Sequence, residues 1–274
     1  MADFLTDNKL KVNDDKTHLL VMTTRQKRRV VATSTVTIDT PTATIHPSSV
    51  ERLLGAQVHH DLRWAEHILD SDESLVKSLN LRIGALRKLS SVASFKTRKT
   101  VASGIFLSKL IYLMPLWSGC EGYLVRALQV VQNKAARTVA KLNIFTPTKT
   151  LLQVCGWMSV RQLMTYHSIM VLHKTLTSQK PVYLHQKVTS GGPFSYKTRQ
   201  AATCPPGFSF EVSHPTDSGA VRQVPGNKLG LSKLGWCWRS VEVYNTLPAD
   251  LRLEMKLLSF KKRLREWVMS NTSI

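Results

Sequence analysis

The stretch LVRALQVVQNKAARTVAKL, Leu124–Leu142, decides the fold class. Leu124, Leu128, Val131, Ala135, Thr138 and Leu142 recur at steps of three and four, the period at which one side of an α-helix meets a core. Lys134, Arg137 and Lys141 recur at the same period on the opposite side, so one helix offers a core face and a row of cations. A merely solvated charged face is the competing reading of that row. Upstream, Leu75, Leu79, Ile83 and Leu86 step by four, four and three and predict a second amphipathic helix.

The helical pattern extends in both directions. Ser159 followed by Gln162 predicts a capping box opening a helix with Val160, Leu163, Met164, His167, Met170 and Val171 on its inner side. His167 lies inside that stripe with no second ligand four residues on, so it reads as a core or boundary histidine. Val101–Trp117 is the most apolar stretch, but Lys109 and Pro115 interrupt it and it is short for a bilayer span. A buried helix is expected there, and no membrane partner.

Before Trp64 the period is two. The run Leu19–Met22, the alternation of Val30, Ala32, Ser34, Val36 and Ile38, and Leu54, Ala56 and Val58 after a Pro47-Ser48-Ser49 turn predict three short antiparallel strands. Arg25, Lys27, Arg28 and Arg29 fall in a connecting turn. His59 and His60 are adjacent, which on a strand sends them to opposite sides, so no metal is assigned to them. Thr189–Asn227 holds five Gly and five Pro and reads as a linker or long loop. Beyond it, a Trp-, Val- and Ser-rich segment and a final helix follow, the latter with Phe260, Leu264, Trp267 and Val268 inward and Lys261, Lys262, Arg263 and Arg265 outward. The expected class is α+β, mainly α: residues 1–63 a β segment, 64–188 a helical bundle, 189–227 a loop, and 228–274 a strand-and-helix unit.

The 274 residues are 43% apolar, enough to bury a core, and 38 Lys and Arg against 18 Asp and Glu give a net charge of +20. Such a charge points to a polyanion, nucleic acid before an acidic membrane face. Cys120, Cys155, Cys204 and Cys237 form no CxxC pair, which favours free thiols in a reducing compartment. The start, MADFLTDNKLKVNDD, lacks the apolar core of a signal peptide, and a nuclear or cytoplasmic location is expected. Its ADFLTDN resembles the last turns of a helix begun elsewhere, which suggests a fragment. Fingerprints of serine hydrolases, P-loop enzymes, zinc proteases and dinucleotide binders are missing. Asp7, Asp14 and Asp15 are the dense acids, and Asn13-Asp14-Asp15 reads as a turn rather than the facing carboxylates that two-metal nucleotidyl transfer needs.

Seven ordered blocks resemble one family: LKVNDDKTHLLVM (Leu10–Met22), HPSSVERLLGAQVHHDLRWAEHI (His46–Ile68), LRIGALRKL (Leu81–Leu89), LVRALQVVQNKAARTV (Leu124–Val139), LLQVCGWMSV (Leu151–Val160), VYNTLPADLR (Val243–Arg252) and FKKRLREW (Phe260–Trp267). Together they resemble the end of the palm, the thumb and the downstream helical region of a non-LTR (LINE-type, jockey-like) retrotransposon reverse transcriptase, an RNA-directed DNA polymerase. The resemblance implies that Asn13 and Lys16 belong to a late palm motif, with Lys16 as a proton donor to pyrophosphate, against the plainer reading of a surface lysine after a turn. It implies that Leu53, Leu54 and Gly55 form a primer-grip turn, glycine letting backbone approach a ligand; a core strand pair before a bulge is the alternative.

The metal-binding aspartates of that family are expected upstream of Met1, so this chain alone is expected to be inactive, with no cofactor of its own and Mg²⁺ serving only a complete polymerase. What the resemblance leaves is a thumb that holds the backbone of an RNA or RNA–DNA duplex through Lys and Arg. Candidates are Lys77, Arg82, Arg87, Lys88, Lys96, Arg98, Lys99, Lys134, Arg137 and Lys141, beside Leu54 and Gly55. The alternatives are a non-catalytic helical interaction protein that pairs with a separate fingers–palm polypeptide, and a pseudogene product without activity.

Overall fold

The structure is a computed structural model and describes residues 7–9, 13, 16–22, 36–40, 43–189 and 236–271. It is mainly helical with small sheets. The chain divides into two compact units, Met1–Ser78 and Leu79–Ile274.

Among the described residues of the first unit the strands form three separate pairs. β1 (Leu19–Leu20) lies parallel to β4 (Pro47–Ser48), while β2 (Ile38–Asp39) pairs antiparallel with β3 (Thr44–Ile45). The segment is therefore not wholly antiparallel, and Pro47-Ser48 is extended strand instead of a turn. A proline lacks only its own N–H and is tolerated on so short an edge. Most of the alternating run Val30–Ile38 lies outside the described residues.

The longest pair is the hairpin of β5 (Val50–Leu53) and β6 (Ala56–His59), with Leu53 opposite Ala56. Its loop is Leu54-Gly55, both at positive φ (50° and 82°), as the twist of a two-residue hairpin demands. Leu54 is thus a turn residue, 78% exposed, and the strand begins at Ala56, which with Val58 is buried. A leucine in left-handed backbone costs about 1–2 kcal/mol. Leu54→Asn is expected to raise stability by about 1 kcal/mol in a urea titration, because asparagine tolerates this region better. Beyond β6, a π-helical turn at Glu66–Asp70 buries His67 and Ile68.

Helix α1 (Leu75–Ser90) buries Leu75, Leu79, Ile83 and Leu86, as the periodicity predicts. In the second unit α2 (Phe95–Ala102) is capped by Ser94, whose hydroxyl accepts the Thr97 N–H at 3.2 Å. It runs through a π-helical turn, Ser103–Leu107, into α3 (Ser108–Ile111), and α4 (Met114–Trp117) follows. Ala102, Phe106, Leu110, Met114 and Trp117 are fully buried, so the apolar stretch is core. No described helix is long and apolar enough to cross a membrane.

Helix α5 (Gly122–Ala140) buries Leu124, Leu128, Val131, Gln132, Ala135, Ala136 and Val139. Its buried Gln132 donates to Met158 O at 2.9 Å. Gln129 accepts the Val160 N–H at 2.9 Å, and Asn133 donates to Thr148 Oγ1 at 2.8 Å. These bonds fix the rotation of α5 against the start of α6 (Thr148–Cys155) and the start of α7 (Val160–Ser178). The Ser159–Gln162 capping box is present.

Helix α7 is the hub: α3, α4, α5, α8 (Val182–Thr189), α9 (Trp236–Asn245) and α11 (Leu257–Ser270) all pack on it. Buried on several sides, it has no single stripe, and its core residues are Tyr166, Ile169, Leu172 and His173 beside Val160, Leu163 and Met164. Val171 is exposed and His167 only half-buried. Of the expected strand-and-helix segment 228–274, the described part, α9, α10 (Ala249–Arg252) and α11, is helical, and residues 228–235 lie outside the described residues. The expected loop lies outside the described residues from 190 to its end at 227.

On α7 the histidine in the core is His173, 1% exposed, stacked on Phe260 with ring centroids 3.5 Å apart and its Nδ1 3.0 Å from the Tyr244 hydroxyl. Burial lowers its pKa to about 4, against a smaller opposing pull from Glu254, and burial pushes the Tyr244 hydroxyl up to about 12. Because the folded pKa lies below the ordinary 6.5, the unfolded chain binds the proton first as pH falls. Stability from this group is complete above pH ~6.5 and falls by up to about 3 kcal/mol between there and pH ~4. Denaturant midpoints across that range should show the slope, and His173→Gln should flatten it.

Candidate nucleic-acid interface

The charge is unevenly distributed along the chain. Residues 79–189 carry sixteen Lys and Arg and one acid, Glu121, whereas residues 1–78 carry ten Lys and Arg and eleven acids. Helix α5 carries part of this charge on one side. On the side opposite its buried face, one row holds Tyr123, Arg126, Val130, Lys134, Arg137 and Lys141. Arg126, Lys134 and Lys141 are exposed, while Arg137 is half-buried and its guanidinium lies 3.5 Å from Thr146 O.

Lys141 ends the helix in left-handed backbone (φ 54°), and the chain turns at Asn143, which accepts the Thr146 N–H at its carbonyl and the Phe145 N–H at its side chain. That turn presents Phe145, 89% exposed, next to the end of the cationic row. An aromatic face beside cations is the pairing that holds an unpaired base together with its phosphate. Arg126 was not among the expected residues, although it stands two helical steps of four before Lys134 in the same row.

The other candidates separate into exposed and engaged. Arg87, Lys88 and Lys96 are exposed, and Lys77 is exposed but bound to Asp72 at 2.7 Å. That contact holds the Asp72 carboxyl below its usual range. Arg82 is half-buried. Lys99 is half-buried at the C-terminal end of α6, where its ammonium faces Cys155 and Gly156 and suits the negative end of that helix.

Arg98 corrects the expectation outright. It is 7% exposed; its Nε donates to Val139 O at 2.8 Å and one terminal nitrogen donates to Ala93 O at 2.6 Å. Those carbonyls occupy the guanidinium that a phosphate would need, so Arg98 ties α2 to the last turn of α5. Lys96 and Lys141 sit at the two helix ends that it joins.

Lys16 is exposed after a turn in which its N–H donates to Asn13 O at 3.1 Å. Asp14 and Asp15 lie outside the described residues. Leu54, exposed, and Gly55, half-buried, form the tight turn described above. Cys120 and Cys155 are buried, and burial pushes the Cys155 thiol up. A cavity of about 300 Å³ opens between α5, α7 and α9, lined by Ser118, Cys120, Arg161, Met164, Ser168 and Ser240.

His59 and His60 do not point apart. The strand ends at His59, His60 already belongs to the turn, and the two rings lie 4.1 Å apart, centroid to centroid. Comparison with protein-family models, with curated proteins and with solved structures finds no match.

Proposed function

We propose that the helical region of residues 79–189 binds the phosphate backbone of an RNA or RNA–DNA duplex without reading its sequence, as the thumb of a reverse transcriptase would. The observation that carries this reading is the sixteen-to-one ratio of bases to acids over that region, with Arg126, Lys134 and Lys141 exposed in one row on α5. A folded surface with so little negative charge repels itself and gains by neutralising a polyanion. The resemblance to LINE-type reverse transcriptases supports the choice of an RNA-containing duplex, and under it the chain acts as a non-catalytic grip with no metal-dependent step of its own.

Titration of the chain into labelled RNA–DNA heteroduplex at two salt concentrations tests the reading. Three or four neutralised phosphates give a log–log salt slope of about −3 to −4. Affinity that is absent, or that ignores salt, refutes it. Primer extension by the purified chain would refute the non-catalytic part.

A further inference from the structure

We propose that His59, His60 and Asp61 form a binding site for a first-row divalent metal ion, with zinc as the fitting ion. The site lies at the foot of the β5–β6 hairpin and is independent of the nucleic-acid reading. One ring nitrogen of each histidine and one carboxylate oxygen of Asp61 lie within 4.8 Å of one another, and all three residues are half-buried. The backbone gathers them: His60 N–H donates to Ser49 O at 2.9 Å and Leu62 N–H to His59 O at 2.8 Å, closing a turn that ends with Leu62 at φ 58°.

The backbone also orients the His60 ring. The Ser49 carbonyl can only accept, so His60 Nδ1, 3.0 Å from it, carries a hydrogen. In the neutral ring Nε2 then offers a lone pair, and it faces Asp61 Oδ1 at 3.5 Å. A divalent cation placed between that nitrogen and the carboxylate oxygen would be held by both. An imidazole whose other nitrogen donates to a backbone carbonyl is the usual arrangement of a metal-binding histidine.

His59 Nδ1 accepts the Asp61 N–H at 3.1 Å, so its lone pair is already held on the Asp61 side of the turn. Coordination exchanges that local bond for the metal. Two imidazoles and one carboxylate suit zinc, which binds them at about 2.0–2.2 Å and leaves a fourth position to water. Tetrahedral ligand atoms stand about 3.3 Å apart, so closing the site takes side-chain shifts of about 1.5 Å.

Zinc chloride titrated calorimetrically into the full chain under reducing conditions should show one equivalent bound. The double variant His59→Gln/His60→Gln should bind that equivalent at least about tenfold more weakly. A second measurement uses the unaltered chain: zinc should slow carbethoxylation of the histidines in the tryptic peptide Leu53–Arg63. No stoichiometric zinc, zinc that the double variant binds equally well, or a carbethoxylation rate in that peptide that zinc leaves unchanged would each overturn the proposal.

Discussion

Arg98→Ala is expected to destabilise the helical unit by about 3–5 kcal/mol, a large share of a domain's total stability. The side chain is 7% exposed and makes two hydrogen bonds to backbone carbonyls, at 2.8 and 2.6 Å. Each charge-assisted bond contributes about 1.5–3 kcal/mol, and truncation leaves both carbonyls short of a donor. Arg98→Lys should recover little, since an ammonium cannot reproduce the fork that spans Ala93 and Val139. Guanidinium denaturation monitored by far-UV circular dichroism measures the loss. Under native conditions the salt dependence of nucleic-acid binding should stay as in the parent chain; a reduced slope would place Arg98 against phosphate instead of against the Ala93 and Val139 carbonyls.

The opposite pattern is expected for the triple reversal Arg126→Glu/Lys134→Glu/Lys141→Glu. All three are exposed and on one side of α5, so the expected change in stability is small, about 0.5 kcal/mol or less per site. Affinity for heteroduplex at low salt should fall on the order of 10²–10³-fold, and the log–log salt slope should flatten by about three. A triple variant that binds as well as the parent would remove α5 from the interface, and with it the reading of this face as a grip. The two experiments together separate a cation that holds the fold from cations that meet a ligand.

The amphipathic helices were legible because each meets the core on one side only: the stripes of α1 and α5 and the Ser159–Gln162 box follow directly from spacing. Helix α7 was not, because neighbours on several sides erase the period and put His173 in the core where the stripe favoured His167. Residue type alone gave Arg98 and Lys99 the same standing as Lys96; which of them turns inward depends on carbonyls at Ala93 and Val139 and on the end of α6, none of which leaves a mark in the local sequence. The histidine pair was misplaced for a similar reason. Alternation holds only while a strand lasts, and β6 stops at His59.

The widened turn at Ser103–Leu107, where the Ser108 N–H reaches back five residues to Ser103 O, bears on how the chain tolerates changes of length. An ordinary helix that loses one residue rotates everything after it by about 100°, which would carry a buried side chain toward water. Here one residue is already surplus to the regular winding. Excising it would tighten the coil locally and leave Leu110, Met114 and Trp117 seated where they are, so this stretch can absorb a codon-sized deletion that its neighbours could not.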